Sequence, residues 1–274
     1  MKTRIISGVI GLVLLAVIMF TGQLVLGIAI MLISWIGLHE FYTAVSKAGY
    51  KPVKSLGYSS SLVILFIALN EQFNIIPQEK TVGFVTLGIF AIILVQFSMM
   101  IFTNNKYNIV DMSVSFYGIV YIVFLFSCLL LTRELENGMY YIWLVFIGAF
   151  MTDTCAYFTG RLIGKTKRFI PAIVPTKTLE GCIGGVVGCI AGMLAYGMFV
   201  QTHIEGISLI HYIFLGILCG VISQIGDWSA SAIKRFVKIK DYGKIMPGHG
   251  GVLDRFDSIL FVAPVVYFYL TLVV

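Results

Sequence analysis

The sequence predicts an all-α, polytopic integral membrane protein with about nine transmembrane helices and a cytoplasmic N-terminus. Composition is the first reason, because hydrophobic residues make up 59% of the 274 residues and charged residues only 12%. A soluble domain carries roughly twice that charged share. The second reason is a series of apolar runs near the length of about twenty residues that a helix needs to cross a bilayer. A spanning β-barrel would instead show short alternating segments.

Each apolar run is predicted to form one span. The first two runs together cover about 34 residues, or about 51 Å as one helix, which is too long for a bilayer core of about 30 Å. A break at Gly22-Gln23 is therefore expected, giving two short pieces. The predicted spans lie near 5–21, 24–38, 56–69, 82–102, 113–131, 140–158, 181–200, 210–230 and 256–274.

The positions of the basic residues predict the orientation of these spans. With the N-terminus in the cytoplasm, 17 of the 19 Lys and Arg residues lie on the cytoplasmic side, and only Lys80 and Arg133 lie outside. This is the bias that membrane proteins show, and it places the C-terminus outside. The net charge of +6 does not indicate nucleic acid, because no long basic face could follow a duplex.

The chain shows no repeat and no segment typical of a soluble domain, so residues 1–274 are interpreted as a single membrane-embedded domain. Its polar residues concentrate between 150 and 258. A catalytic region facing the cytoplasm is expected there, built from loops 159–180 and 231–257.

Three acidic residues, Asp153, Asp227 and Asp254, occupy the predicted inner ends of spans. Ionisable groups at membrane depth are costly, so they usually line a polar cavity or hold an ion. The alternative is a purely structural pairing with a neighbouring Lys or Arg. If their segments are helical, Asp227 shares a face with Ser231, and Asp254 shares one with Asp257.

Carboxylates from two helices, together with phosphate oxygens, suit Mg²⁺. Lys and Arg beside such a metal form the usual apparatus of phosphoryl or nucleotidyl transfer, because they neutralise phosphate oxygens. Glycines in the same loop would let backbone N–H groups approach an anion, although they would equally form a flexible turn. The basic residues are Lys234, Arg235, Lys238, Lys240, Lys244 and Arg255, and the glycines are Gly248, Gly250 and Gly251.

The other large loop adds further candidates for phosphate binding. The segment PTKTLEG opens a predicted span, where a helix N-terminus favours a phosphate. The candidate residues of this loop are Arg161, Lys165, Lys177 and Glu180.

The polar stretch between spans eight and nine resembles the signature of the phosphatidate cytidylyltransferases, also called CDP-diacylglycerol synthases. The segment around Asp153, Gly226-Asp227 and residues 177–181 is also similar to that family, and His39-Glu40-Phe41-Tyr42 resembles its early cytoplasmic loop more weakly. The matching residues of the signature are Ser231, Lys234, Arg235, Lys240, Asp241, Gly243, Pro247, His249, Gly250, Gly251, Asp254, Arg255 and Asp257.

The resemblance implies transfer of the cytidylyl group of CTP to phosphatidate at the cytoplasmic leaflet, with release of pyrophosphate and dependence on Mg²⁺. It further implies K⁺ as a second cation, a homodimer and a bacterial plasma membrane location. In this reading Asp227 and Asp254 hold the metal, with Asp257 as a further carboxylate. His249 would contact the triphosphate or transfer a proton. The residues expected to bind phosphate are Ser231, Lys234, Arg235, Lys240 and Arg255. Other substrate contacts are expected from Asp241, Gly250, Gly251, Asp153, Arg161, Lys165, Lys177 and Glu180.

Two other functions are compatible with parts of this pattern. A CTP-dependent lipid kinase would release CDP and phosphorylate an alcohol. An ion-coupled membrane transporter would use intramembrane Asp residues as a cation site, but transporters place broken helices at the midplane of duplicated halves. Here the charges gather at one predicted face, and no duplicated pair is visible.

Overall fold

The structure is a computed structural model that describes residues 2–104, 106–164, 173–174, 177–205, 207–245 and 250–274. All regular elements within these ranges are helical, which confirms the predicted all-α class. The helices are α1 Lys2–Phe20, α2 Gln23–Lys47, α3 Lys54–Ser60, α4 Leu62–Phe73, α5 Gln78–Phe102, α6 Ile109–Gly118, a π-helical segment Ile119–Phe124, α7 Leu125–Glu134, α8 Gly138–Leu162, α9 Leu179–Gln201, α10 Leu209–Phe236 and α11 Leu253–Leu272.

Among the described residues, seven helices are long and apolar enough to cross a membrane. This confirms a polytopic membrane protein, while the count of nine stays a prediction. The predicted spans 5–21 and 56–69 are not among the seven. The candidate spans are Gln23–Lys47, Gly83–Phe102, Ile109–Glu134, Gly138–Leu162, Leu179–Gln201, Leu209–Phe236 and Leu253–Leu272.

The chain breaks where the first two apolar runs meet, as predicted. Helix α1 ends at Phe20, and α2 begins at Gln23. Between them Gly22 has a φ of 109°, a left-handed conformation that glycine adopts without the steric cost that other residues meet. Helix α2 then runs to Lys47, well past the predicted end of the second span at residue 38. The segment His39-Glu40-Phe41-Tyr42 is therefore helical, not part of a loop.

The third predicted span is interrupted at a run of three serines. Helix α3 ends at Ser60 and α4 begins at Leu62. The hydroxyls of Ser59, Ser60 and Ser61 donate to carbonyls three residues earlier in the chain, at 3.1, 2.7 and 2.7 Å. Such local hydrogen bonds compete with the helical pattern, which explains the break inside an apolar run.

The internal contacts divide the chain into two compact units. The first comprises Met1–Leu130 and Val237–Asp254, and the second comprises Leu131–Phe236 and Arg255–Val274. A single membrane-embedded domain over residues 1–274 stays a prediction.

In the first unit, α2 is tied to α6 through buried polar contacts. The hydroxyl of Tyr42, whose side chain is fully buried, donates to the Ser115 carbonyl at 2.8 Å. The Ser115 hydroxyl in turn accepts the Val53 N–H at 2.7 Å. These bonds join α2 and the segment before α3 to α6.

In the second unit, helices α8, α9 and α10 pack against one another through small residues. A Cβ at Gly185 on α9 would lie 3.0 Å from the Thr152 carbonyl oxygen on α8. A Cβ at Gly220 on α10 would lie 2.9 Å from the Val186 Cα on α9. Such close approach of backbones is typical of helices packed within membranes. It brings Asp153, beside Thr152, toward the neighbouring helices.

Candidate active site

A lysine and three carboxylates lie close together in the second unit, and we call Asp153, Lys177, Asp227 and Asp257 the acidic cluster. The Nζ of Lys177, just before α9, lies 3.2 Å from Oδ2 of Asp227 on α10. The two side chains are 32% and 24% exposed, so water screens their attraction only in part. This ion pair joins two of the residues that the sequence predicted to share a site.

The other two carboxylates meet at Ser258, in the second turn of α11. The Ser258 hydroxyl donates to Oδ2 of Asp153 at 3.4 Å. The Ser258 backbone N–H donates to Oδ1 of Asp257 at 2.8 Å. Asp257 is only 8% exposed, so its carboxylate is held away from bulk water. One serine therefore links an acid of α8 with an acid of α11.

The carboxylates of the acidic cluster change the pKa of the Lys177 amine. Burial alone would lower the pKa of this amine, because it disfavours the charged form. The carboxylates of Asp227 and Asp153 outweigh burial, and the pKa of Lys177 is raised above its ordinary value of 10.5. Lys177 is therefore positively charged at every physiological pH.

Two more cations act on the cluster electrostatically. The charge of Lys234, in the last turn of α10, interacts with Asp257, and the charge of Arg255 interacts with Asp153. The carboxylates also act on one another, since Asp257 lies within electrostatic range of both Asp227 and Asp153. Like charges this close, away from bulk water, are stable only with cations between or beside them.

In the first unit, Asp254 anchors the loop that precedes α11. Its Oδ2 accepts the backbone N–H of Gly251 and of Tyr242, each at 2.9 Å. Gly250 has a φ of 86°, and a Cβ there would lie 2.9 Å from the same Oδ2. The loop therefore needs glycine at 250, both for its conformation and for the approach of Asp254.

A second carboxylate holds the same loop. Glu40 on α2 is 3% exposed, and its Oε1 accepts the Val252 N–H at 3.0 Å. Its Oε2 accepts the Leu253 N–H at 2.9 Å. The start of α11 is thus fixed by a residue more than 200 positions earlier in the chain.

The helical bounds confirm the two predicted residue pairs on shared faces. Asp227 and Ser231 lie on α10, which runs to Phe236. Asp254 and Asp257 lie on α11, which begins at Leu253. The joint metal site of Asp227 and Asp254 stays a prediction.

The remaining predicted residues occupy varied surroundings. Arg161, at the end of α8, is exposed and donates from Nη1 to the Tyr157 hydroxyl at 3.0 Å, so in the described structure it is not part of the acidic cluster. Glu180 lies in the first turn of α9, and the hydroxyl of the preceding N-cap residue Thr178 accepts the Gly181 N–H at 3.2 Å. The exposed residues are Arg235, Lys240, Asp241 and Arg255, while Lys165 and His249 lie outside the described residues.

The donor set of this region can be compared with the needs of a metal ion. The described residues contain no group of three or more His, Cys, Asp and Glu that could hold one. Mg²⁺ usually takes one or two carboxylates and completes its shell with water and substrate phosphates. Oε2 of Glu180 is a buried oxygen that accepts no hydrogen bond from the described residues, and Oδ2 of Asp227 is a buried oxygen that faces Nζ of Lys177 at 3.2 Å. This set fits a magnesium ion that keeps water and phosphate ligands.

Sequence reasoning missed two polar residues of these networks, Glu40 and Ser258. Glu40 is an acidic residue following an apolar run, the same signal that identified Asp153, but the predicted span ended before it. Ser258 carries no sequence signal beyond its position next to Asp257. Its proximity to Asp153 depends on the packing of helices 105 residues apart.

Known proteins match this sequence over nearly its whole length. The Cytidylyltransferase family matches residues 2–273. A phosphatidate cytidylyltransferase of Staphylococcus saprophyticus is 33% identical over 267 residues, covering 96% of each chain. A phosphatidate cytidylyltransferase of Bacillus subtilis strain 168 is 31% identical over 273 residues, covering 99% of this chain and 98% of the relative. One from Staphylococcus aureus strain COL is 31% identical over 266 residues, covering 96% of each chain.

Fold and site together define a polytopic helical membrane protein with an acidic, lysine-bearing centre at the ends of its helices. The chain belongs to the cytidylyltransferase family.

Proposed function

We propose that this protein transfers the cytidylyl group of CTP to phosphatidate, giving CDP-diacylglycerol and pyrophosphate for phospholipid synthesis. The observation that carries the proposal is the acidic cluster, in which Lys177 is paired with Asp227 beside two further carboxylates in a membrane protein. Relatives that match almost the whole chain are phosphatidate cytidylyltransferases. The two acyl chains of phosphatidate keep that substrate in the bilayer, so the reaction must occur at the membrane surface.

The reaction needs no nucleophile from the protein. A phosphate oxygen of phosphatidate forms a bond to the α-phosphorus of CTP, and the bond from that phosphorus to the bridging oxygen of the β-phosphate breaks. Pyrophosphate leaves with the electron pair of that bond. Both substrates are polyanions that repel each other, so the work of the protein is to hold them together and in line.

Lysine and arginine side chains of the protein are proposed to hold the two polyanionic substrates together. Lys177 stays charged, and its ion pair with Asp227 fixes the amine at the centre of the acidic cluster. Lys234, Arg235, Lys240 and Arg255 are proposed to neutralise phosphate oxygens as the two substrates approach. Ser231 lies one helical turn after Asp227 and is proposed to bind phosphate by its hydroxyl.

The reaction is proposed to depend on Mg²⁺. When bound, the ion neutralises phosphate oxygens and stabilises the charge that develops on the leaving group. Asp227 and Asp254 are proposed to hold it, with Asp257, one turn after Asp254 on α11, as a further carboxylate beside them. A second cation such as K⁺ would offset the carboxylate charge that remains.

The active site is proposed to face the cytoplasm, with nine spans and a cytoplasmic N-terminus, because 17 of the 19 Lys and Arg residues then lie inside. Single cysteines introduced at the exposed Lys240 and at the exposed Glu136 test this in intact cells. An impermeant maleimide should label position 136 and spare position 240. The reverse pattern, or labelling of both, would contradict the orientation.

A homodimer is proposed from the family resemblance. Light scattering of the purified protein in detergent, corrected for bound detergent, should give twice the mass of 30.3 kDa. A monomer that is fully active would remove the dimer from the proposal.

The function is tested with purified protein, CTP labelled in cytosine, phosphatidate and Mg²⁺ in detergent. A labelled lipid and one pyrophosphate per lipid are expected. Asp227→Asn should lower turnover at least a hundred-fold, whereas Glu136→Gln, the same change at an exposed glutamate, should not. Release of CDP with a phosphorylated alcohol would identify a lipid kinase instead. Vectorial uptake by vesicles without a CDP-lipid would identify a carrier.

A further inference from the structure

Glu40 is a buried carboxylate that is not among the proposed substrate or metal contacts. It is 3% exposed, and each of its two oxygens accepts one backbone N–H at the start of α11, from Val252 at 3.0 Å and from Leu253 at 2.9 Å. Both bonds are buried. A carboxylate that accepts backbone N–H groups makes charge-assisted bonds, roughly twice as strong as neutral ones.

Of the described residues near the start of α11, the one that directly precedes the helix offers no side-chain oxygen in place of Glu40. The first N–H groups of a helix lack partners within the helix, and the residue that precedes it usually supplies a side-chain oxygen. Here that residue is Val252, which has none. The negative charge of Glu40 also suits the positive end of the helix dipole.

Two glycines make room for this carboxylate. A Cβ at Gly251 would lie 2.5 to 2.6 Å from the carboxylate atoms of Glu40. A Cβ at Gly243 would meet Oε1 of Glu40 well inside van der Waals contact. The described residues between α10 and α11 therefore approach Glu40 closely at two points eight positions apart.

We propose that Glu40 is a positioning residue for cytidylyl transfer: it fixes the start of α11 and thereby the carboxylate of Asp254. Asp254 directly follows Leu253, whose N–H Glu40 binds. The Oδ2 of Asp254 accepts two further N–H groups of the same loop, so both carboxylates hold one segment from two sides. This inference rests on the proposed function, in which Asp254 is a metal ligand.

Glu40→Gln tests the proposal, because it keeps the shape of the side chain and replaces one acceptor oxygen by an NH₂ donor. Hydrogen exchange of peptides within residues 250–256 should become at least ten-fold faster. The Mg²⁺ concentration for half-maximal activity should rise about ten-fold, the loss usual when a partner that orients a metal ligand is removed. Gly243→Ala keeps the charge of Glu40 but displaces its carboxylate, and it should act in the same direction.

Tyr42→Phe is the matched control. It lies on the same helix two residues away and removes a buried hydrogen bond, to the Ser115 carbonyl, without touching the loop. This variant should lower thermal stability yet keep the wild-type Mg²⁺ requirement and exchange at 250–256. An equal shift in Tyr42→Phe would overturn the proposal, since the effect would then be general destabilisation.

The remaining outcomes separate this inference from the proposed function. Unchanged exchange in both Glu40→Gln and Gly243→Ala would refute the anchoring of α11. Faster exchange with an unchanged Mg²⁺ requirement would make Glu40 a structural cap and overturn its positioning role. If the wild-type protein makes no CDP-lipid, yet exchanges more slowly at 250–256 than Glu40→Gln, the proposed function is refuted and the anchoring of α11 is not.

Discussion

Replacing Lys177 by Met isolates the charge that balances the acidic cluster. Methionine keeps much of the length and apolar volume of lysine but leaves Asp227 without the cation that it pairs with and removes the positive charge that acts on Asp153. The carboxylates would then repel one another in surroundings that are partly shielded from water. We expect Lys177→Met to be less stable than the wild-type protein.

The size of the loss follows from the exposure of the pair. Breaking a fully buried ion pair by removing one partner costs about 3–5 kcal/mol. Exposed pairs contribute about 0–1 kcal/mol. Because the side chains of Lys177 and Asp227 are 32% and 24% exposed, the expected cost lies between these limits. About 2 kcal/mol corresponds to a fall in the melting temperature of about 4–8 °C in a chain of this size.

Thermal unfolding in detergent at one heating rate measures this fall. Lys47→Met makes the same change at an exposed lysine and should melt within about a degree of the wild-type protein. The double variant with Asp227→Asn removes both charges of the pair and should recover part of the lost stability, as residues in contact show coupling of about 0.5–3 kcal/mol. It should not recover turnover.

Two results would refute this reasoning. In the first, Lys177→Met melts at the same temperature as Lys47→Met, and the ion pair then contributes nothing to stability. Alternatively, the losses of the two single variants could simply add in the double variant. Additivity would mean that Lys177 and Asp227 do not interact, despite the 3.2 Å between their charged atoms.

Three further predictions concern the same region. The destabilisation of Lys177→Met should be constant near neutral pH and disappear only well above pH 10.5. A lysine whose pKa is raised by folding stabilises the protein fully below its ordinary pKa, and this stability is lost as pH rises through the pKa of the folded state. Melting curves from pH 6 to 11 check this. Gly250→Ala should lower the free energy of unfolding by about 1–2 kcal/mol and remove most of the turnover, because Gly250 has a left-handed φ of 86° and the new Cβ would crowd Asp254. Gly49 is also left-handed, at 97°, but has open space around it, so Gly49→Ala should lose stability only. Thr178→Val should cost about 1 kcal/mol by removing the cap of α9, and Thr178→Ser should restore it, as unfolding measurements would show.

Sequence patterns predicted the apolar helices well because burial in lipid requires long apolar stretches, and few other structures produce them. The break at Gly22 was predictable for a similarly simple reason, since the two runs together exceed the thickness of a bilayer. Where helices extend beyond the lipid, this signal disappears. Helix α2 continues to Lys47 through polar residues, so its last turns, including Glu40, were assigned to a loop.

The candidate site was predictable as a set of residue types but not as a set of contacts. Acidic residues at the ends of apolar runs stand out because they are costly there, and this identified Asp153, Asp227 and Asp254. Which of these residues contact one another depends on how the helices pack. The approach of Ser258 to Asp153 follows from glycines that bring α8, α9 and α10 together, and no local pattern reports it.

The first residues of α11 show why a distant anchor matters more there than an ordinary cap. Asp254, Asp257 and Ser258 all fall within the first two turns of this helix. An α-helix turns by about 100° per residue, so a slip of the helix start by one residue would point every one of these side chains elsewhere. A cap from a neighbouring residue would slip together with the helix. An anchor on α2 would hold the register from outside the helix, and this is the role that we propose for the two hydrogen bonds accepted by Glu40.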